Sequence, residues 1–150
     1  MSRVAWLIAG AVFASDLAIK TLLGVHPGLS TPVIQNIFHI TVVFNTGAAF
    51  GLLRGQTTFL IAIGLAFMLF FFFVLTKERK TILSAVASGL VAGGALSNLY
   101  DRIVRGYVVD YLVFRIWPVF NLSDTCISIG VGLLILETYR KTRVTQKELR

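Results

Sequence analysis

Charge is what this sequence most lacks. Only 14% of its 150 residues are Asp, Glu, Lys or Arg, against about 25% in a typical soluble domain. Hydrophobic residues make up 56% and the mean hydropathy is +0.81. That balance excludes an ordinary water-soluble domain and points to a membrane protein of one domain. Cysteine is nearly absent. Cys126 stands alone, so no intramolecular disulfide can form, and its apolar surroundings read as packing. The two histidines, His26 and His39, have no HExxH or other ligand spacing, so neither a metal nor a cofactor is expected. No Ser-His-Asp arrangement can be argued from order or spacing. Ser97 and Ser123 lie close to asparagines, with no local base to make either a nucleophile.

What charge there is carries information by position. The net charge is +7, yet nine of the fourteen Lys and Arg fall at Arg3, at Lys77, Arg79 and Lys80, and at Arg140, Lys141, Arg143, Lys147 and Arg150. Clusters of that kind mark the cytoplasmic side of membrane spans rather than a nucleic-acid surface. Between them lie four apolar stretches, about 4–24, 57–75, 81–103 and 120–139. About twenty residues are needed to cross a hydrocarbon core as a helix. Residues 57–75 hold no charge at all. The first stretch could be mistaken for a signal peptide with a small-residue site at Val12-Phe13-Ala14, but its apolar run continues through Leu23. The third is rich in small residues, and Gly89 and Gly93 form a GxxxG pattern that lets two helices approach closely.

Residues 25–55 have a different texture. His26-Pro27-Gly28 is a turn, and Ile37 to Phe44 reads as a strand of β-branched and aromatic residues. We expect a small sheet at the membrane surface, where strand pairing and water satisfy the backbone. Four spans with both termini in the cytoplasm place this segment and the 101–119 connection outside. Residues 25–55 carry only Arg54 among Lys and Arg, and Arg102, Arg105 and Arg115 are the other basic exceptions on that side.

The acids in and between the spans need a reason to be there, since an ionised carboxylate at a bilayer centre costs about 2.5–3.5 kcal/mol on insertion scales. Asp16 and Lys20 lie at i and i+4, acid first, and share a helix face. They either neutralise each other or line a polar cavity. Asn98, Asp101 and Arg102 sit at the outer end of the third span, and Asp101 meets the unfavourable end of the helix dipole there. Arg102, bending back, could offset it. An end-cap cluster and a supporting shell for a nearby site are both open. Asn121 and Asp124 fit an N-cap and N3 pair at the start of the fourth span. A carboxylate there also gains from the dipole, which would suit an ionised member of an acid pair. Asp110 is least easily explained as structure. It stands alone in the strand-like run Tyr107 to Phe114, with no basic residue in that run, and desolvation should push its pKa upward. Its natural partner is a second carboxylate or a substrate. Two close carboxylates share a proton, and such a pair can hydrolyse a peptide bond without metal.

The motifs in order are Asp16-Leu-Ala-Ile-Lys20, Asn45-Thr-Gly-Ala-Ala-Phe-Gly51, Gly93-Gly-Ala-Leu-Ser-Asn98-Leu-Tyr-Asp101-Arg102, Gly106-Tyr-Val-Val-Asp110-Tyr111 and Phe120-Asn121-Leu-Ser-Asp124. On four spans they resemble the bacterial lipoprotein signal peptidase (signal peptidase II) family over essentially the whole chain. The resemblance implies an all-α fold of four transmembrane helices with a small extracytoplasmic β-cradle and a short surface helix. It implies an aspartic endopeptidase of the bacterial cytoplasmic (inner) membrane, with its site near the outer face. Asp110 and Asp124 would be the catalytic pair. Asn45, Gly47, Asn98, Asp101, Arg102 and Asn121 would bind substrate or support the pair, with Asp16 and Lys20 behind them. The substrate would be a diacylglyceryl-modified prolipoprotein, cut before its lipidated cysteine. Membrane lipids and inhibitors of the globomycin type would be the other partners of a monomer. Leu17, Ser97 and Ser123 depart from the family's usual Gln, Gly and Ala, beside key polar groups. The rival reading is a small proton- or ion-coupled transporter using the acids as a relay.

Overall fold

The computed structural model describes residues 2–48, 51–77 and 81–148. Within them, four helices carry a three-stranded sheet at one end. Helix α1 is Arg3–Gly24, with Ser2 as N-cap accepting from the Ala5 N–H. Helix α2 is Thr57–Lys77 and α3 is Ile82–Val104. Helix α4 is Leu122–Glu148, starting a turn's fraction later than expected and continuing into the basic tail. Thr81 and Ser84 close a reciprocal capping box at the start of α3. At its other end Gly106 takes φ +80°, the left-handed conformation that stops a helix. Arg3–Gly24, Ile82–Val104 and Leu122–Arg143 are long and apolar enough to cross a membrane. Thr57–Phe73 of α2 is apolar but shorter.

Helix α3 is the centre of the bundle, packed on α1, α4 and α2. Its small residues explain how. A Cβ on Gly89 would meet the Ala5 carbonyl oxygen at 2.7 Å, and one on Gly93 would meet the Ala9 carbonyl oxygen at 2.6 Å. The GxxxG face therefore lies directly on the α1 backbone. Gly94 does the same toward α4, 2.6 Å from the Ser123 carbonyl oxygen.

The sheet is antiparallel in the order β1 (Ser30–Ile34), β2 (Phe38–Asn45), β3 (Val108–Phe114). The apolar run around Asp110 thus becomes the third strand of the sheet begun by the 25–55 segment. Val43 stands opposite Asp110 and Asn45 opposite Val108, past an irregularity in register after Ile40. After β3 the chain doubles back. The Phe120 N–H donates to the Leu112 carbonyl at 3.0 Å, and the Leu112 N–H returns a bond to the Phe120 carbonyl at 2.8 Å. That pairing delivers Asn121 and the first turn of α4 to the edge of β3. Ala49 and Phe50 lie outside the described residues, Gly51 has 3₁₀ geometry and Leu52 to Gly55 form a turn. Arg79, Lys80 and Arg150 of the basic clusters also lie outside.

Replacing Gly93 with Ala should destabilise the protein by about 1–3 kcal/mol, because its new methyl meets backbone that cannot rotate away. Gly10→Ala, with nothing within 4 Å of the added Cβ, should leave stability unchanged or slightly raised. Thermal denaturation of the two detergent-solubilised variants checks the contrast.

Candidate active site

The C-terminal end of α3 presents one polar face. Asn98, Asp101, Arg102 and Arg105 fall on neighbouring turns, and α1 brings Asp16 and Lys20 against them. Lys20 is fully buried and its ammonium uses all three donors. It reaches Asp16 Oδ2 at 2.7 Å, Asp101 Oδ2 at 3.1 Å and Asn98 Oδ1 at 2.8 Å. Neither expectation for Asp16 and Lys20 was complete. The pair is buried behind the cavity described below rather than on its wall, and it does not neutralise only itself, since Lys20 serves a second acid. Asp101, also fully buried, accepts from the Val109 N–H at 3.2 Å. Its other oxygen, Oδ1, lies 3.4 Å from Arg105 Nε, outside hydrogen-bond geometry. The expected contact from Arg102 to Asp101 is replaced by Arg105, one turn on. Arg102 instead reaches the Asn98 carbonyl at 3.4 Å and the Gly47 carbonyl at 3.2 Å. Successive residues on a helix point about 100° apart, so the i+4 residue meets Asp101 and the adjacent one does not.

Asp110 and Asp124 are held by amides. On the sheet, Asn45 is the diagonal neighbour of Asp110 and donates from Nδ2 to Asp110 Oδ2 at 2.8 Å. Asn121 Nδ2 donates to Asp110 Oδ1 at 2.7 Å and to Asn98 Oδ1 at 3.2 Å. Asn98 Nδ2 donates to Asp124 Oδ1 at 2.8 Å. Asn121 is also the N-cap of α4. Its Oδ1 accepts from the Asp124 N–H at 2.9 Å, while its own N–H donates to Asp124 Oδ2 at 3.3 Å. This is a reciprocal capping box. Burial raises the pKa of Asp110 to about 6, with the charge of Asp124 acting in the same direction and the Asn45 and Asn121 amides opposing.

Both carboxylates face one cavity of about 280 Å³. Of the ten residues singled out in the sequence, Asn45, Asn98, Arg102, Asp110 and Asp124 line it. Its walls also include Val108, Trp117, Phe120 and Ile127. Asp16, Lys20, Asp101 and Asn121 are buried behind it. Gly47 fixes the turn after β2. Its N–H donates to Asn45 Oδ1 at 2.9 Å, and a Cβ there would meet the Leu52 carbonyl oxygen at 2.6 Å. Among the described residues, no group of three or more His, Cys, Asp or Glu could hold a metal ion.

Residues 8–140 match the family model for "Signal peptidase (SPase) II". The chain belongs to the signal peptidase II family. It is 43% identical over 146 residues to a lipoprotein signal peptidase of Desulfitobacterium hafniense (strain DSM 10664 / DCB-2), a match covering 95% of this chain and 97% of that one. A lipoprotein signal peptidase of Halothermothrix orenii is 48% identical over 115 residues, covering 77% and 79%. A solved bacterial membrane enzyme is 32% identical with a TM-score of 0.85, covering 92% of this chain and 88% of its own. The signal peptidase II family is one of proteases, so the cavity is a candidate protease site.

The sequence reading missed three hydroxyls behind this site. Ser97, Ser123 and Tyr111 all donate to Asp16. An acid buried in a span without enough cations was the signal that such donors had to exist.

Asn121 serves as both cap and amide donor, and substitutions can separate the two. Asn121→Ser keeps a capping oxygen but leaves buried Asp110 and Asn98 oxygens short of a donor, at about 1–3 kcal/mol. Asn121→Ala should lose about 1 kcal/mol more with the cap. Melting temperatures should therefore fall in the order Asn, Ser, Ala.

Proposed function

We propose that this chain is an aspartic endopeptidase whose catalytic pair is Asp110 and Asp124. It removes the signal peptide from diacylglyceryl-modified prolipoproteins, cutting before the lipidated cysteine. Family membership supports the reaction and stands against a transporter. The observation that carries the residue assignment is the cavity shared by two carboxylates whose direct partners are neutral amides. A carboxylate paired with a cation stays ionised, whereas one held by amides can take and release a proton at modest cost.

In this reading water lies between the pair and the scissile carbonyl. Asp110, with a pKa raised to about 6, carries the proton and donates it to the carbonyl oxygen as water attacks. Asp124 accepts the proton from that water. The tetrahedral intermediate then collapses: Asp110 takes back a hydroxyl proton as the carbonyl re-forms and the C–N bond breaks, while the leaving amine is protonated by the carboxyl that Asp124 has become. Asn45 and Asn98 orient the two acids, and Arg102 sets a positive charge at the cavity wall. Val108, Trp117, Phe120 and Ile127 give the cavity an apolar side suited to a lipid-modified peptide.

The membrane arrangement follows the same reading. Helix α2, at 21 residues, is about 31 Å long and serves as the fourth span. Basic residues at both chain ends then put the termini in the cytoplasm and the sheet outside. An inhibitor of the globomycin type would occupy the same cavity.

Asp110→Asn and Asp124→Asn should each lower cleavage of a diacylglyceryl-modified precursor about 100-fold or more, while the protein still inserts. Full activity in either variant would sink the assignment. A second expectation concerns pH. The Asn45 amide stabilises the Asp110 anion, so Asn45→Ala should raise the pKa of Asp110 further. If the protonated form is the active one, activity is lost as pH rises through that pKa. The alkaline limb of the kcat/KM profile should therefore move to higher pH in Asn45→Ala. A limb that stays put or moves down contradicts the role given to Asp110.

A further inference from the structure

Three residues that neither line the cavity nor touch a cation converge on one carboxylate. Ser97 Oγ donates to Asp16 Oδ2 at 2.7 Å, Ser123 Oγ donates to the same oxygen at 2.5 Å, and Tyr111 Oη donates to Asp16 Oδ1 at 3.2 Å. All four side chains are buried. The position of each donor in the chain is the telling point. Ser97 precedes Asn98, Tyr111 follows Asp110, and Ser123 precedes Asp124. Each hydroxyl residue is thus the sequence neighbour of a polar residue that lines the cavity.

Local geometry makes this a rear mounting. On a strand, neighbouring side chains point to opposite faces, so Tyr111 points away from the cavity that Asp110 faces. On a helix they diverge by about 100°, so Ser97 and Ser123 point behind Asn98 and Asp124. The three hydroxyls leave three different elements, α3, β3 and α4, and meet on a fourth, α1. Tyr111 Oη is itself filled from the other side by the Leu122 N–H at 3.1 Å, which leaves its proton for Asp16. Burial, with the charge of Asp16 behind it, pushes the Tyr111 hydroxyl's pKa up, so it remains a donor. Ser97 and Ser123 are fully buried and line no part of the cavity, so neither is placed to attack a substrate.

We propose that Ser97, Tyr111 and Ser123 are positioning residues that fix Asn98, Asp110 and Asp124 relative to one another through their shared bond to Asp16. This rests on the catalytic pair proposed above. Losing the bond frees three elements to shift by fractions of an ångström, and a misplacement of about 1 Å can cost about 100-fold in rate. The loss belongs to the chemical step, because none of these residues meets substrate.

The test uses the full chain purified in detergent and a lipobox peptide carrying a diacylglyceryl cysteine. Ser97→Ala/Ser123→Ala should lower kcat about tenfold or more with KM within about twofold. Tyr111→Phe should act in the same direction. In an Asp16→Asn background, removing the hydroxyls should add little further loss. Wild-type kcat in the hydroxyl variants overturns the proposal, and so does full additivity with Asp16→Asn. A lowered melting temperature with unchanged kcat per folded molecule also overturns it, since the hydroxyls would then be packing alone. Should the double variant not accumulate, Ser97→Ala, Ser123→Ala and Tyr111→Phe singly carry the same comparison. Activity in Asp110→Asn or Asp124→Asn would instead remove the catalytic pair, a result distinct from intact activity in the hydroxyl variants.

Discussion

A polar atom buried at the end of an apolar bundle has no water behind it, so it must be matched by the protein or raise the energy of the fold. The site is arranged by that requirement. Lys20 has three ammonium donors and three acceptors, Asp16, Asp101 and Asn98. Asp16 takes three hydroxyls besides Lys20. Helix α3 can bring its polar face this deep only because Gly89 and Gly93 let it lie on the α1 backbone. A larger residue there would separate Lys20 from Asp101 and Asn98. Packing and electrostatics are in this sense one constraint.

The matching divides the acids into two kinds. Asp16 and Asp101 each receive a cation. Asp110 and Asp124 receive the side chains of Asn45, Asn98 and Asn121, which stabilise an anion without committing the group to remain one. Asn121 shows that a structural and a functional role need not compete. The capping box that starts α4 uses its Oδ1 and its backbone N–H, which leaves the Nδ2 group free to hold Asp110. One side chain sets where the helix begins and where the opposite carboxylate points.

Much of this could be read from the sequence where a local rule applied. The apolar stretches lie in helices, with α4 running on past Tyr139 to Glu148, GxxxG became a close approach, and the run around Asp110 became a strand. Asn121 and Asp124 became a cap. Legibility failed where the partner lay far along the chain. Nothing near Asp101 in sequence says that Val109 and Lys20 complete it, and adjacency favoured Arg102 over Arg105, which the helical turn reverses. Nor could the strand around Asp110 name its neighbour, because pairing with β2 joins segments more than sixty residues apart. Ser97 and Ser123 looked like small departures from the family pattern. Only when α3 and α4 are both placed against α1 do they prove to reach the same oxygen atom.

Charge balance ties the two kinds of acid together. The sheet end of the bundle gathers four carboxylates, Asp16, Asp101, Asp110 and Asp124, against three cations, Lys20, Arg102 and Arg105. Lys20 and Arg105 balance Asp16 and Asp101. Arg102 spends its hydrogen bonds on carbonyl oxygens, so its charge remains to face the Asp110 and Asp124 pair across the cavity. One cation cannot balance two anions in a poorly hydrated setting, where repulsion between close like charges is strong. Neutrality is reached when the pair holds a single proton. That is the state an acid–base pair needs before it meets its substrate, one member able to give a proton and the other able to take one. Under the proposed catalytic reading, the cations and acids gathered on α1 and α3 thereby favour a single shared proton on the acids of β3 and α4.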